Sequence, residues 1–504
     1  MVLLSVIAIG TLWALIATTT GQAAFGVGLA FPGAGFWPWI LDDGGAYCFG
    51  APAWITYAFA AVLSHALFAF ALVFWFGAGN VIAPILVWLA CAAIAAMTAP
   101  TLATAPFAIM LFPALAWAIL VAAIYALRPK TRPQSTPFPA RPMKFPETPP
   151  SDPTTQGLMR FTLDRALQPI DQFDGFQFVD QFQTAATRYQ LTQAGLALAL
   201  AQAQTPDDPR LVQAQRNLIV KQTDPRIWAY WKWENAWGNF DTNADPTARD
   251  NIMYTGFLAA QIALFEHGTG DGQFSQPSAL QLRSKSHRFD TDQPHLIASI
   301  TRGWDASPYG LMPCEPNWIY PLCNAIGACA MKAHDPETWA RHSDRFRASL
   351  EAEFTDCDGL IVPFRSSHTG LAGPRIGGAV VAAYPVMFWN ALFPDLAAGL
   401  WGRVRELTLS GGTLNIRKFW KVDTGDYRFS RAASLAGFAA AAAEMGDVET
   451  RDLALAALDT ECPAQGTPWH RPNASTFAHF TELMARLNPG GGFATLFSQH
   501  RKDN

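Results

Sequence analysis

The first 127 residues form an almost continuous apolar stretch, and its length predicts membrane helices. An α-helix needs about 20 apolar residues to cross a hydrocarbon core about 30 Å thick. Because no Lys or Arg precedes the first apolar run, a cleaved signal peptide is the weaker interpretation of it. Glycines and aromatic side chains around the Asp42 and Asp43 pair predict an interfacial loop over residues 21–50. The four predicted membrane spans are residues 2–19, 53–76, 81–97 and 102–127.

After residue 151 the apolar positions recur at helical spacing. Leu435, Phe438, Ala442 and Met445, for example, fall on one stripe of a helix. Similar stripes continue along the chain and predict roughly a dozen helices. The predicted fold class is all-α, and the periodicity leaves open whether the helices form an open solenoid or a closed ring. The predicted domains are a transmembrane helical bundle (1–127), a basic proline-rich linker (128–151) and a helical domain (152–504).

Charge is distributed as unevenly as hydropathy. Two of the 40 acidic residues, Asp42 and Asp43, precede residue 128, whereas the other 38 and all 36 basic residues follow it. This balance argues against a protein that binds nucleic acid mainly by charge. Five basic residues follow the fourth predicted span: Arg128, Lys130, Arg132, Arg141 and Lys144. Because positive flanks stay inside the cell, we predict a multi-pass inner-membrane protein with a cytoplasmic large domain.

The segment 313–324, Pro-Cys-Glu-Pro-Asn-Trp-Ile-Tyr-Pro-Leu-Cys-Asn, is the most unusual part of the chain. Its prolines exclude a regular helix before Pro321, so that Cys314 and Glu315 are predicted to lie in an irregular loop. Pro321 is predicted to begin a helix that ends near residue 333 and carries Cys323 in its first turn. A helix N-terminus favours a thiolate, and burial opposes it.

Other interpretations of the polar candidates stay open. On spacing alone, Cys314, Cys323 and Cys329 are more typical of small buried hydrophobic residues. A zinc site is disfavoured because no second pair of cysteines or histidines completes four ligands, and a disulfide requires an extracytoplasmic domain. A further group of acid–base candidates consists of carboxylates that are also typical of solvated caps and turns: Asp171, Asp174, Glu234 and Asp241.

Three runs of the chain resemble the linalool dehydratase/isomerase family. They are Asp-Asn-Ile-Met-Tyr-Thr-Gly at 250–256, the cysteine segment from Cys314 to Asn324, and Glu-Met-Gly-Asp at 444–447, in this order. The cysteine segment is the most specific of the three. The resemblance extends from near Asp164 to near Asp459 and leaves out the predicted membrane helices. It implies an (α/α)6 barrel, in which two concentric rings of helices surround a deep apolar cavity.

The family catalyses reversible loss of water from a tertiary terpene alcohol, together with allylic isomerisation. The resemblance implies that the reaction needs no organic cofactor and no metal. Matched position by position, it implies catalytic roles for Cys314, Glu315 and Cys323. A looser alignment adds Asp171 as the catalytic aspartate, with Asp174 as a rival. The substrate-contacting residues implied in the same way are Tyr254, Phe257, Trp318, Tyr384, Phe176 and Gln177.

Two positions depart from the family pattern. Phe257 stands where the family has a histidine, and Gln177 stands where it has a tyrosine. Both departures remove groups that would hold a substrate hydroxyl or shuttle its proton. We therefore predict a membrane-anchored lyase or isomerase, surrounded by membrane lipid, that acts on a hydrophobic isoprenoid-like or steroid-like small molecule other than linalool.

Two alternatives come from other classes of protein. The first is a carbohydrate-active enzyme of the same barrel type, with two carboxylates that face each other across the cavity. The second is a noncatalytic membrane receptor or scaffold whose ring binds a lipid or a protein partner. The pattern also leaves a homo-oligomer open.

Overall fold

The chain forms two compact units. The first comprises residues 1–131, 234–241 and 368–371, and the second comprises residues 132–233, 242–367 and 372–504. Apart from Ile119, the fourth predicted span lies outside the described residues, as do the Asp42 and Asp43 pair and the basic residues before 135. The computed structural model describes residues 2–31, 33–41, 53–78, 82–99, 119, 135–147, 152–181, 185–373, 378–416, 423, 425–466 and 469–498.

Apolar helices make up the described part of the first unit. They are α1 (Val2–Ile16), α2 (Thr20–Ala30), a 3-10 helix (Ala34–Leu41), α3 (Ala53–Ala78) and α4 (Ile82–Thr98). Within the described residues, Trp54–Leu72 is the one helical stretch that is long and apolar enough to cross a membrane. The neighbouring Ala83–Thr98 stretch is apolar but shorter. The predicted bundle of four membrane spans is therefore not shown.

The prediction of a loop over residues 21–50 is wrong for the part that the structure describes, because α2 and the 3-10 helix occupy it. A Cβ atom on Gly26 would lie 2.5 Å from the backbone nitrogen of Ala14, and one on Gly10 would lie 2.7 Å from that of Ala30. Small residues at these positions let α1 and α2 pack with their backbones in close contact. Gly26, one of the glycines that suggested a loop, is thus a contact point of two helices.

The helices that follow in the chain belong mainly to the second unit. In order they are α5 (Pro153–Ala166), α6 (Thr187–Gln202), α7 (Pro209–Lys221), α8 (Pro225–Trp228), α9 (Trp231–Asn239), α10 (Ile252–Thr269), α11 (Gln293–Ala306), α12 (Pro321–His334), α13 (Pro336–Glu353), α14 (Gly378–Ala383), α15 (Val386–Leu392), α16 (Pro394–Thr408), α17 (Ala432–Glu444), α18 (Val448–Glu461), α19 (Thr476–Leu487) and α20 (Gly492–Leu496). Short 3-10 helices lie at Gln273–Ser275 and Gly425–Tyr427.

These helices form a closed inner ring with further helices outside it. Among the described residues, α6, α10, α12, α15, α17 and α19 each contact the next, and α19 contacts α6 again. A second set, α5, α7, α11, α13, α16 and α18, packs against the outside of the inner helices. The contacts thus decide between the two arrangements that periodicity left open, in favour of a closed ring.

Burial separates the two sets of helices. Every residue of α6 and of α17 is buried, as expected for a helix that is surrounded by other helices on all sides. The outer helix α13 buries only one face, which includes Trp339, Phe346 and Leu350. The apolar core therefore lies between the inner and outer helices, and the amphipathic stripes in the sequence mark the outer ones.

Several outer helices begin with an aspartate followed by a proline. The carboxylates of Asp152, Asp208 and Asp335 accept hydrogen bonds from backbone N–H groups in the first turns of α5, α7 and α13. The proline that follows each of them occupies a position where a helix needs no N–H donor. Local sequence thus determines where these helices start.

Inner helices α10 and α12 approach each other closely. A Cβ atom on Gly256 would lie 3.0 Å from the Cα atom of Gly327, so the two glycines allow the close contact. This contact places the Asn-Ile-Met-Tyr run of α10 beside the helix that begins at Pro321.

Strands are short in the described part of the chain, where they form three two-stranded antiparallel sheets. They are β1 (Leu280–Arg283) with β2 (Arg288–Thr291), β3 (Trp318–Ile319) with β4 (Arg365–Ser366), and β5 (Leu409–Ser410) with β6 (Thr413–Leu414). In the second sheet, Trp318 pairs with Ser366 and Ile319 pairs with Arg365. This pairing holds the segment between the two motif cysteines against the loop that follows α13.

Residues 135–147, which we call the strap, belong to the second unit and form no helix or strand. The backbone N–H of Arg141 donates to the carbonyl of Met445, at 3.0 Å, and that of Met143 donates to the carbonyl of Gly490, at 2.9 Å. The N–H of Phe138 donates to the carbonyl of Ala398. The described part of the predicted linker thus contains no helix or strand, and its backbone is hydrogen-bonded to the helical unit.

Candidate active site

A tight turn holds the first motif cysteine and its neighbour. The N–H of Trp318 donates to the carbonyl of Glu315 at 2.9 Å, and the N–H of Cys314 donates to the carbonyl of Trp318 at 2.8 Å. Pro316 and Asn317 occupy the corner, and Asn317 has a left-handed φ of 75°. Proline followed by a residue that tolerates positive φ is typical of a type II turn. The Glu-Pro-Asn-Trp sequence thus fixes this turn locally.

Cys314 and Cys323 lie side by side. Pro321 is the first residue of α12 and Cys323 lies in its first turn, as predicted. Both side chains are buried, and their thiols form a hydrogen bond. Burial raises the pKa of the Cys314 thiol well above its ordinary value, and the neighbouring Cys323 and Glu315 raise it further. Cys314 is therefore a neutral thiol at physiological pH and is suited to donate a proton.

Asn324, the last residue of the cysteine segment, fixes the chain that leads into Cys314. Its side-chain oxygen accepts hydrogen bonds from the N–H of Met312, at 2.9 Å, and from the indole N–H of Trp304, at 3.0 Å. Its side-chain nitrogen donates to the carbonyl of Met312 at 2.9 Å. Since Asn324 follows Cys323 in the same helix turn, these bonds hold both cysteines to one rigid element.

Arg188 lies beside the cysteine pair, in the first turn of α6. It is buried, and its guanidinium nitrogen lies 3.9 Å from a carboxylate oxygen of Glu315. Its guanidinium carbon also lies 4.3 Å from the centre of the Tyr230 ring. The positive charge of Arg188 favours the ionised form of Cys314 and opposes the upward shift of its pKa. A thiolate formed here during a reaction would therefore be stabilised by a nearby cation.

A second cluster contains two carboxylates at the N-terminus of α19. Asp180 is fully buried and accepts hydrogen bonds from the side-chain nitrogen of Gln190, at 2.7 Å, and from the backbone N–H of Phe477, at 3.4 Å. The hydroxyl of Tyr427 also forms a hydrogen bond with Asp180. Burial is the main reason why the pKa of Asp180 is raised.

Asp423 is the other buried carboxylate of this cluster. It accepts hydrogen bonds from the side-chain nitrogen of Gln181, at 2.9 Å, and from the backbone N–H of Ser475, at 3.0 Å. Burial raises the pKa of Asp423 to about 6, and the charge of Asp180 adds to this rise. Asp423 therefore changes its protonation state close to neutral pH.

An aromatic group lies next to the carboxylates. The rings of Tyr189 and Tyr384 both contact that of Phe477, with centroids 6.2 and 5.5 Å away. Tyr384 donates a hydrogen bond to the side-chain oxygen of Gln193, one turn beyond Tyr189 on α6. The hydroxyl of Tyr189 is buried and has no hydrogen-bond partner among the residues that the structure describes.

The predicted site residues do not all meet at these clusters. Trp318 is buried in the cysteine turn and packs edge-on against Phe364, with centroids 5.2 Å apart. Phe257 is buried on α10. The hydroxyl of Tyr254 donates to the backbone carbonyl of Gln222 at 3.1 Å, so that this group is occupied within the fold.

The four residues predicted from the region before α6 lie apart from the cysteines. Asp171 and Asp174 are exposed, and Asp171 lies near the cationic side chains of Lys221 and Arg226. The ring of Phe176 packs on those of Phe173 and Phe480, and the side chain of Gln177 is exposed. The physical reason is that the chain after α5 follows the surface, where Asp171, Asp174 and Gln177 are exposed and only Phe176 turns inward before Asp180.

Sequence reasoning assigned no site role to the residues Asp180, Arg188, Tyr189, Asp423 and Tyr427. One signal was present: Asp180 follows the apolar pair Phe178 and Val179, nine residues after Asp171 in a region where the alignment is loose. Asp423 carried no comparable signal. Within the described residues, no three His, Cys, Asp or Glu side chains are grouped in a way that could hold a metal ion.

Several solved structures are similar to the chain. An unsaturated glucuronyl hydrolase specific for heparin shares 11% identity, with a TM-score of 0.44, over 67% of this chain and 96% of that one. The GH76A α-1,6-mannanase from Salegentibacter sp. HEL1_6 shares 12% identity, with a TM-score of 0.45, over 67% and 98%. An α-amylase from Clostridium perfringens shares 10% identity, with a TM-score of 0.41, over 66% and 97%. Nothing about the reaction follows from similarities this low.

A family model for linalool dehydratase/isomerase matches residues 188–473. The match covers more than half of the 504 residues and includes Arg188, the cysteine turn and the start of α12. It confirms the resemblance found in the three sequence runs. The apolar first unit lies almost wholly outside the matched range. On the strength of this match and of the paired cysteines, the chain belongs to the linalool dehydratase/isomerase family.

Proposed function

We propose that the protein is a membrane-anchored lyase/isomerase that dehydrates, hydrates or isomerises a hydrophobic isoprenoid-like or terpenoid alcohol without a cofactor. The observation that carries this proposal is the buried, hydrogen-bonded pair of Cys314 and Cys323 beside Glu315 and Arg188. Membership of the family supports a lyase or isomerase. The apolar stretch Trp54–Leu72 supports a membrane anchor.

Dehydration of a tertiary alcohol needs a proton for the departing hydroxyl and a base for a proton on the neighbouring carbon. In our proposal the Cys314 thiol donates its proton, the C–O bond breaks, and water leaves with the electron pair of that bond. The Cys314 thiolate then accepts the proton from the carbon, and the C–H electron pair forms the double bond. The thiol is restored, and water and the alkene are the products.

The surrounding groups suit the charges that form during this sequence. In the resting pair Cys323 raises the pKa of Cys314, and Arg188 opposes this rise. In our proposal the Cys323 thiol turns to donate a hydrogen bond to Cys314 once Cys314 has lost its proton. The rings of Tyr189, Tyr384 and Phe477 provide π faces of the kind that stabilise a carbocation. In this proposal the free hydroxyl of Tyr189 orients the hydroxyl of the substrate.

The cysteine pair is tested by replacing each thiol in the full-length protein. We expect Cys314→Ser and Cys323→Ser to lower the rate at least about 100-fold, because a hydroxyl is a much weaker acid than a thiol. Purified protein in detergent is incubated with linalool, geraniol, myrcene and larger isoprenoid alcohols, and products are identified by gas chromatography and mass spectrometry. Uptake of oxygen-18 from labelled water into an alcohol reports reversible hydration.

Cys329→Ser is the matched control. Cys329 lies on the same helix as Cys323 and is equally buried, but its thiol lies 3.7 Å from the carbonyl oxygen of Phe388 and not at the pair. It should keep its activity. Equal activity of Cys323→Ser and the wild type on a substrate that the wild type converts would overturn the proposed role of the pair.

The alternative of a carbohydrate-active enzyme is less well supported. It requires two carboxylates on opposite sides of a bound sugar. Asp180 and Asp423, the buried carboxylates of the second cluster, both accept hydrogen bonds from the N-terminus of α19 and so lie on the same side. Hydrolysis of a glycoside by purified protein, with no conversion of any isoprenoid alcohol, would favour this alternative over the lyase.

A further inference from the structure

Two loops that are distant in sequence meet at the N-terminus of α19. One carries Asp180 and Gln181, and the other carries Asp423 and Tyr427. Asp423 accepts the backbone N–H of Ser475 at 3.0 Å, and Asp180 accepts that of Phe477 at 3.4 Å. A hydrogen bond of 2.9 Å from Gln181 to Asp423 joins the two loops directly.

We propose that Asp423 is a positioning residue: it forms a coupled pair with Asp180, the two carboxylates hold one proton between them, and Asp423 acts on turnover through Asp180. The coupling itself stands on the geometry of the two loops. Its consequence for turnover rests on the proposed function.

The donors around the two carboxylates are neutral. Asp423 is bound by an amide side chain and a backbone N–H, and Asp180 is bound by Gln190, a backbone N–H and the Tyr427 hydroxyl. Both carboxylates are fully buried. The two carboxylates accept N–H groups only two residues apart at the start of α19. In such surroundings two neighbouring carboxylates resist double ionisation and titrate as a pair.

The other titratable groups that face the pair add negative charge or none. Tyr189 on α6 interacts electrostatically with both carboxylates and with Tyr427. Tyr427, in the 3-10 helix, interacts with both carboxylates and with its neighbour Asp426. Cys462, after α18, interacts with Asp423. Two cations enter these interactions: Arg188 acts on Tyr189, and Arg471 acts on Cys462.

The backbone of both loops is held in an unusual conformation. Gln181 and Ala185 in the first loop, and Arg428 and Phe429 in the second, have left-handed φ angles between 53° and 57°. Residues other than glycine adopt this region at a cost, which the surrounding contacts must offset. Strain concentrated on both sides of the carboxylates is typical of a functional site.

The test is an infrared titration of full-length protein labelled with carbon-13 at the aspartate carboxyl groups. In the wild type we expect two coupled steps, with the upper one near pH 6. Asp423→Asn should remove the upper step, and Asp180 should then ionise at lower pH because the neighbouring charge is gone. Asp180→Asn should have the reciprocal effect on Asp423. If the remaining carboxyl group titrates at an unchanged pH in both variants, the coupling is absent.

Two further variants keep the test independent of folding and of turnover. Asp426→Asn, in the same loop but exposed, should leave both steps in place. Gln181→Asn keeps a residue that tolerates positive φ but is too short to reach Asp423, and it should move the upper step to higher pH. If the upper step stays at the same pH in this variant, the proposed pair is contradicted. Since the titration needs no substrate, it can succeed even if no isoprenoid alcohol is converted.

For the positioning role, activity of the wild type and Asp423→Asn is measured against pH on any substrate found. A positioning residue should change kcat and its pH profile and leave KM nearly constant. Loss of activity in proportion to the loss of folded protein, with an unchanged pH profile, would show that Asp423 is only structural.

Discussion

At the scale of single residues, Phe257 is the position that tests whether this member of the family acts on linalool. Its side chain is 4% exposed on α10 and offers volume and a π face where the resemblance implies a histidine. One missing orienting hydrogen bond in a dry site costs about 1 to 3 kcal/mol, or one to two decades in rate. We therefore expect weak or absent linalool turnover in the native protein and a gain of about tenfold or more in Phe257→His.

Phe257→Leu is the matched variant for this prediction, because it removes the ring without adding a polar group. Linalool conversion is compared with that of a larger apolar alcohol for all three proteins. If Phe257→His lowers the melting temperature and leaves the ratio of the two rates unchanged, the residue is a packing residue without influence on selectivity.

Asp423 makes stability depend on pH in a direction that can be stated. Its folded-state pKa of about 6 lies above the ordinary value of 3.8, so protonation favours the folded state. The stabilisation is fully present below about pH 4 and is lost as the pH rises through about 6. A pKa shift of this size changes the free energy of unfolding by about 3 kcal/mol between low and high pH.

Asp423→Asn should therefore become more stable relative to the wild type as the pH rises from about 4 to about 7. The amide can replace both hydrogen bonds, since Gln181 can turn its own amide to accept from it. Denaturant unfolding in detergent at several pH values gives the difference between the two proteins. A difference that stays constant with pH would contradict the prediction.

At the scale of elements, the strap is held by glycines that cannot be replaced without strain. Gly446 follows α17 with a φ of 65°, and a Cβ atom there would lie 2.4 Å from the carbonyl oxygen of Arg141 in the strap. Gly446→Ala combines an unfavourable backbone conformation with displacement of the strap. We expect it to lower the free energy of unfolding by roughly 2 to 4 kcal/mol and to expose the strap to proteases.

Gly270→Ala is the control for the cost of the left-handed backbone conformation alone. Gly270 ends α10 with a φ of 74°, but a Cβ atom there would have no heavy atom within 4 Å. It should cost about 1 kcal/mol and leave the protease sensitivity of the strap unchanged. Equal losses in the two variants would mean that the strap contributes nothing at this contact.

At the scale of the whole molecule, the side of the membrane on which the helical unit lies remains a prediction from charge. The basic residues after the fourth predicted span predict that this unit lies in the cytoplasm. A green fluorescent protein fused after residue 504 should fluoresce, and alkaline phosphatase fused at the same place should be inactive. The opposite pair of results would place the unit outside and reopen a disulfide between cysteines.

The features that the sequence predicted correctly are governed by neighbours along the chain. Proline stereochemistry placed the start of α12 at Pro321 and Cys323 in its first turn. Helical periodicity identified the second unit as a set of helices. The same local rules failed for α2, where the pattern of glycines that marks a loop in water marks close helix packing in an apolar unit.

The sequence by itself thus determined the helical class, the cysteine turn and the family, because each depends on residues close together in the chain or on an ordered set of motifs. Tertiary structure alone decided which polar groups share a site. Gln181 and Asp423 are 242 positions apart, and no periodicity connects them. They meet because closing the ring places α19 next to α6, and the N-terminus of α19 binds the carboxylates of both loops. Asp171 shows the converse, since its motif suggested a catalytic role but the chain at that point still follows the surface.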